Sequence, residues 1–158
     1  MTMDPMAFGR ALRRAAPELT RVWRLARAQA QRPVFPGLLD GLVPSFLAEA
    51  GRLLAEGGDP AAAWGATAGT LRLAPGDSAE ELTVEWALLM EVLGAACESF
   101  QARPAVAEWL AKAVAAGERA TAAVASGVEG APLPPGVLAF RTLRATLPPE
   151  RPPSSPGG

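Results

Sequence analysis

The sequence predicts an all-α protein, an antiparallel bundle of four to five main helices with a disordered C-terminal tail. Three observations lead there. Apolar residues recur at three-to-four spacing in every long segment, and strict strand alternation occurs in none. Aromatic residues make up only 6 % of the chain, and β-branched residues are sparse, so strand formers are scarce. Proline and glycine divide the chain into helix-length pieces with short connections, the pattern of an antiparallel bundle. At 158 residues the chain has the length of one domain. No internal repeat is convincing.

The first helix opens at Asp4-Pro5, a capping carboxylate before a proline at the first helical position. Phe8, Leu12, Ala15, Leu19, Val22 and Ala26 then recur at helical spacing. Pro17 lies inside that pattern. A mid-helix proline costs about 3 kcal/mol, which predicts a break or kink near residues 15 to 17. A second helix is expected from Pro36 to Glu56, with Leu39, Leu42, Phe46 and Leu53 on one face, Pro44 as a kink or a shifted start, and Gly57-Gly58 as its stop. Asp59-Pro60 repeats the opening signal and starts a shorter segment through about Leu73 that contains Trp64.

Ala74-Pro75-Gly76-Asp77 reads as a turn, and Ser78 with Glu81 as a capping box. The helix that follows carries Leu82, Trp86, Leu89, Leu93, Ala96 and Phe100 on one stripe, the signature of a core face. Arg103-Pro104 opens a last long helix with Val106, Trp109, Leu110, Ala113, Val114 and Val124, closed by Gly127. The bundle domain is therefore expected over residues 1–126. Residues 127–146 read as a linker with a short amphipathic helix from Val137, Leu138, Phe140 and Leu143, and residues 147–158 as a disordered proline-rich tail.

Composition excludes much chemistry. The chain has no histidine, no tyrosine and one cysteine. It therefore lacks an imidazole base, a Ser-His-Asp or Cys-His pair, a thiolate cluster and histidine-ligated zinc. Glu80, Glu81 and Glu85 lie close together, but a di-iron bundle needs Glu-x-x-His from two helices. Acids in a first turn are simply explained by capping and the helix dipole. Cys97, near the apolar stripe, reads as a small buried hydrophobe. No catalytic, metal or cofactor residues are expected, and the protein is read as a non-enzyme.

The formal charge of -1 hides an asymmetry. Residues 1–32 carry seven arginines against Asp4 and Glu18, whereas residues 33–129 hold thirteen acids against five bases. Either the basic segment docks on the acidic body, or Arg13, Arg14, Arg21 and Arg24 form a basic surface for an acidic partner. No helix-turn-helix glycine pattern or interleaved aromatic supports base readout, so nucleic acid is not the expected partner. No apolar run approaches the roughly 18–20 residues that span a bilayer. The expected localisation is cytoplasmic, with no membrane contact.

One family resemblance covers about residues 32–124. Residues 38–47, LLDGLVPSFL, carry a leucine, aspartate, proline and aromatic series. Trp64-Gly65, then Gly76, then Glu81-Leu82-Thr83-Val84-Glu85-Trp86-Ala87-Leu88-Leu89 make a second series, and Leu110 to Val124 a third passage. Together these resemble the RsbRD-type N-terminal sensory domain, a helical module found ahead of bacterial histidine kinases and in stressosome-type antagonists. Trp64 stands at that family's histidine position, and Met90 where an arginine commonly follows the leucine pair.

The resemblance implies a stand-alone bacterial sensory or interaction domain acting in signal transduction. Its partner would be a protein, such as a histidine kinase or another signalling regulator, and homodimerisation would use the helix bearing Trp86. The candidate ligand or partner contacts are Trp64, Glu85, Trp86 and Leu89. Two alternatives are a helical protein binding a small apolar ligand in a tryptophan-lined pocket, and a DNA-associated accessory protein using the arginine-rich first helix.

Overall fold

The computed structural model describes residues 2–32, 36–65, 67, 71 and 79–130, the last four of them as backbone alone. Its five helices are α1 (Pro5–Gln29), α2 (Val43–Glu56), α3 (Ala62–Gly65), α4 (Ala79–Ser99) and α5 (Pro104–Gly130). The all-α bundle is as the helical spacing predicts. Among the described residues the one β-type pairing is a single bridge between Met3 and Ala102, which straps the N-terminus onto the α4–α5 turn. No helix there is long and apolar enough to cross a membrane.

Local signals explain most helix boundaries. Asp4 Oδ1 accepts the Ala7 N–H at 2.8 Å and caps α1 ahead of Pro5. Gly57 ends α2 in the left-handed region (φ 74°), where a side chain would be strained. Pro44 occupies the first turn of α2, which resolves the expected kink as a shifted start: Leu38 to Leu42 form turns, and the helix begins at Val43. After Asp59-Pro60 the described residues are helical over Ala62–Gly65, and most of the expected continuation toward Leu73 lies outside the described residues. The turn at 74–77, Ser78, the short helix proposed near 137–146 and the tail lie outside the described residues. Helix α5 continues to Gly130, three residues past its expected stop at Gly127.

The expected break at Pro17 does not occur, and α1 is one helix from Pro5 to Gln29. Pro17 lies on the exposed face. On that face the carbonyl left without its helical donor can turn to water, which lowers the penalty. The buried stripe also differs from the expected one. Phe8 and Leu12 lead into Ala16, Thr20, Trp23 and Arg27, while Val22 is exposed. Two of these inward positions are polar, and each has a partner: the Thr20 hydroxyl donates to the Ala16 carbonyl at 2.7 Å, and Arg27 meets carboxylates described below.

Contacts between helices give the topology. The N-terminal half of α1 crosses the C-terminal half of α2 at Gly9 and Gly51. A Cβ on Gly51 would sit 2.6 Å from the Gly9 carbonyl oxygen, and a Cβ on Gly9 would sit 2.5 Å from the Gly51 oxygen. Arg24, near the other end of α1, reaches Asp40 just before α2, so the pair is antiparallel. Phe8 of α1 meets Phe100, just past α4, edge-on at 6.1 Å, while Trp23 and Arg27 meet the start of α4. Those two helices are antiparallel as well. The Trp109 indole N–H donates to the Gly58 carbonyl at 3.0 Å, placing the start of α5 beside the end of α2. The long helices α1, α2, α4 and α5 thus each run antiparallel to two others, and α4 begins at the opposite end of the bundle from where α2 stops.

The centre is occupied by Trp86, which is fully buried and packs edge-on against Phe46 of α2 at 5.1 Å. Gly117 lets α5 approach it, since a Cβ there would lie 2.5 Å from the indole ring. The indole N–H donates to the Thr121 hydroxyl at 2.9 Å. Thr121→Val keeps the shape and removes this acceptor, so it is expected to lower stability by about 1–3 kcal/mol. A urea midpoint equal to that of the parent protein would refute this role for the hydroxyl.

Candidate functional site

Two places gather most of the sequence's chemistry-bearing residues. The first is a buried ionic cluster at the end of the bundle where α1 stops and α4 begins. Glu85 is fully buried, and Glu81 and Arg27 are nearly so. The Arg27 guanidinium lies 3.3 Å from Glu85 Oε2 and 3.6 Å from Glu81 Oε2. Arg32, just beyond α1, reaches Glu81 with Nη2 at 2.5 Å and Nε at 3.3 Å. The Glu85 carboxylate also accepts the backbone N–H groups of Leu38 at 3.0 Å and Leu39 at 2.8 Å. The Trp23 indole donates to the Glu85 carbonyl at 3.0 Å, and Arg27 stacks over the Trp23 ring.

Glu81 and Glu85 are not the capping or solvated acids that their place in the first turns of α4 suggests, since both are buried. They point inward because the α4 stripe of Leu82, Trp86 and Leu89 turns that whole face toward α1. Two buried carboxylates are tolerated because two arginines and two backbone donors meet them. The arginine hydrogen bonds hold Glu81 below the usual carboxylate range. Burial pushes Glu85 above it, against the pull of the Leu39 and Leu38 amides and of Arg27.

The cluster brings two arginines and two glutamates together. It ties α1, the 38–39 turn and α4 together. Cys97 is buried, which raises its thiol and keeps it protonated. Among the described residues, no group of three or more Cys, Asp or Glu side chains is placed to hold a metal ion.

The second place is an open groove of about 490 Å³ between α4 and α5. Trp86, Ala87, Met90 and Glu91 line one side, and Ala111, Val114, Ala115 and Glu118 the other. Its shape follows from residue size. Alanines sit at three of the eight positions, so the two helices leave a furrow between them. Its floor is apolar, and Glu91 and Glu118 stand on opposite walls. Neither has an ion-pair partner among the described residues.

The expected contact residues separate on this map. Glu85 belongs to the ionic cluster and Leu89 to the core, both fully buried. Trp86 is also fully buried yet forms part of the groove lining. Trp64 is half-buried on α3 and packs against the core, so the structure does not bring it and Trp86 into one described pocket. On α1, Arg13 and Arg14 are exposed. Arg21 pairs with Glu18, and Arg24 with Asp40 at 2.9 Å. Internal docking therefore accounts for Arg24, Arg27 and Arg32, and leaves Arg13 and Arg14 on the surface.

No local sequence motif marks Arg27 and Arg32 as partners of Glu81 and Glu85. The groove residues Ala87, Glu91, Ala111, Ala115 and Glu118 are likewise unmarked by any local motif. The available signal for Arg27 was its register, four residues after Trp23 on the buried stripe. For the groove it was the pairing of alanine-rich faces on two consecutive helices. In comparisons with known proteins, no family model, curated protein or solved structure matches this chain.

Proposed function

We propose that this chain is a non-enzymatic regulatory module of the helical sensory type, acting in signal transduction by binding a protein partner. The α4–α5 groove is the observation that carries the reading. It is apolar and open, with a carboxylate on each wall. Those properties suit an amphipathic helix laying its apolar face into the furrow with arginine or lysine at its flanks. A small apolar ligand is disfavoured, because ligand sites enclose most of their occupant and this one does not. The resemblance to RsbRD-type sensory domains supports the same reading through its leucine and Glu-aromatic passages. It extends the proposal to homodimerisation and to a signalling partner such as a histidine kinase.

Binding of designed amphipathic helical peptides tests the groove. Peptides with basic flanks are expected to bind and acidic-flanked ones of equal hydrophobicity to bind far more weakly. Ala115→Trp, which fills the furrow, is expected to abolish binding while the thermal midpoint stays close to the parent value. Indifference to peptide charge, or to the filled groove, would remove this function from α4–α5.

A further inference from the structure

We propose that the outer face formed by α1 and α4 is where two copies of this chain associate, as a closed dimer with its twofold axis perpendicular to that face. The proposal rests on the homodimer reading above and names its surface. Helix α3 lies against α2 and α5, so among the described residues no element covers α1 and α4 from outside. The face they leave has an apolar middle. Ala15, Val22 and Leu25 contribute to it from α1, and Val84, Leu88 and Ala95 from α4, each of them half-buried or exposed. Val22 and Leu25 are exposed despite their size, and packing against a second apolar surface removes them from water.

The rims of the face carry opposite charge. Arg14 and Arg21 border it on α1, and Glu91 and Glu98 on α4, all four exposed. Helix α4 carries no lysine or arginine, and Glu18 is the only acid within α1. Arg21 meets Glu18 of its own helix, and the other three have no ion-pair partner among the described residues. Because α1 and α4 are antiparallel, a twofold rotation lays α1 of one copy over α4 of the other and parallel to it, and the reciprocal pair forms in the same way. Arg14 and Arg21 are seven residues apart, as are Glu91 and Glu98, so both charge pairs meet in a single register. The contacts Phe8–Phe100 and Trp23–Glu85 fix the stagger of the two helices within one copy. With that stagger, the register puts the axis near the level of Ala15, where a small side chain lets the copies approach. It also brings Val22 and Leu25 of one copy level with Phe100 of the other, which is exposed as well. Charge and apolar matching thus agree on one alignment. The 21 residues of α4 run about 31 Å at ~1.5 Å per residue, and two helices of ~10 Å diameter side by side are about 20 Å wide. The face therefore offers roughly 600 Å² per copy, and the roughly 1,200 Å² of the pair reaches the size of a stable interface.

The test uses the full chain. Sedimentation velocity over a dilution series is expected to show a monomer–dimer equilibrium. Arg14→Glu with Arg21→Glu sets acid against acid in both halves of the interface, and Glu91→Arg with Glu98→Arg sets base against base. Each double variant alone is expected to dissociate at concentrations about tenfold or more above the parent, with an unchanged helical circular-dichroism spectrum. Mixed together, the two are expected to form a heterodimer, because both halves of the mixed pair again set acid against base. Val22→Asp, which leaves the rims intact and buries a charge when the copies meet, is expected to weaken the dimer likewise. A parent chain that stays monomeric overturns this proposal and the homodimer reading together. A parent dimer that these substitutions leave intact, or reversed chains that do not pair when mixed, assigns the dimer to another face and overturns this proposal alone. Peptide binding by the Arg14→Glu, Arg21→Glu chain, whose α4–α5 groove is unaltered, reports on the partner reading separately.

Discussion

Glu85→Ala is expected to cost the fold about 3–5 kcal/mol, the scale for removing one partner of a buried ion pair. The loss has three parts. Arg27 keeps its charge in a nearly dry position, the Leu38 and Leu39 amides lose their acceptor, and a cavity replaces the side chain. Urea unfolding of the variant measures it, and a loss under about 1 kcal/mol would show the cluster to be solvated.

The pH profile separates the two carboxylates. Glu81 is held below its ordinary value near 4.5 by the Arg32 hydrogen bonds. Its contribution is fully present above that value and disappears as pH falls through its folded pKa. Burial holds Glu85 above 4.5, so the folded state takes up that proton more readily than the unfolded chain. Its contribution therefore declines as pH rises from 4.5 through its folded pKa. The parent protein is expected to be most stable on the acid side of neutrality. Glu85→Gln should lose that acid-side rise and keep the fall below about 4.5. Identical profiles for the two proteins would sink the assignment.

Gly51→Ala is expected to destabilise by about 1–3 kcal/mol, the range for overpacking a close contact, although alanine is the better helix former. The new Cβ would meet the Gly9 oxygen at 2.6 Å and the Arg13 nitrogen at 2.8 Å. Both are backbone atoms that move only if α1 and α2 separate. Gly94 in α4 is the internal control, because nothing lies within 4 Å of a Cβ built there. Gly94→Ala should raise stability by about 0.5–1 kcal/mol through helix propensity alone. Denaturant midpoints moving in opposite directions verify the contact, and a shared direction refutes it.

Helix starts at Pro5 and Pro104 and the stop at Gly57 were legible in the sequence because caps and turns act over a few residues. The α4 core stripe was legible for a similar reason: Leu82, Trp86, Leu89 and Leu93 define one face without any knowledge of what covers it. The continuous α1 was not, since the cost of Pro17 depends on which side of the helix faces water.

That this chain is a bundle of helices, where most of them begin, and that it holds no imidazole and a single thiol are all legible in its residue order and composition. The burial of Glu81 and Glu85, the contact of Gly9 with Gly51, and the furrow with two acidic walls left by alanines of α4 and α5 emerge only when the helices pack. The physical reason is distance along the chain. A buried carboxylate is tolerable only when its counter-charge arrives from elsewhere, and here Arg27 comes from α1, more than fifty residues before Glu85.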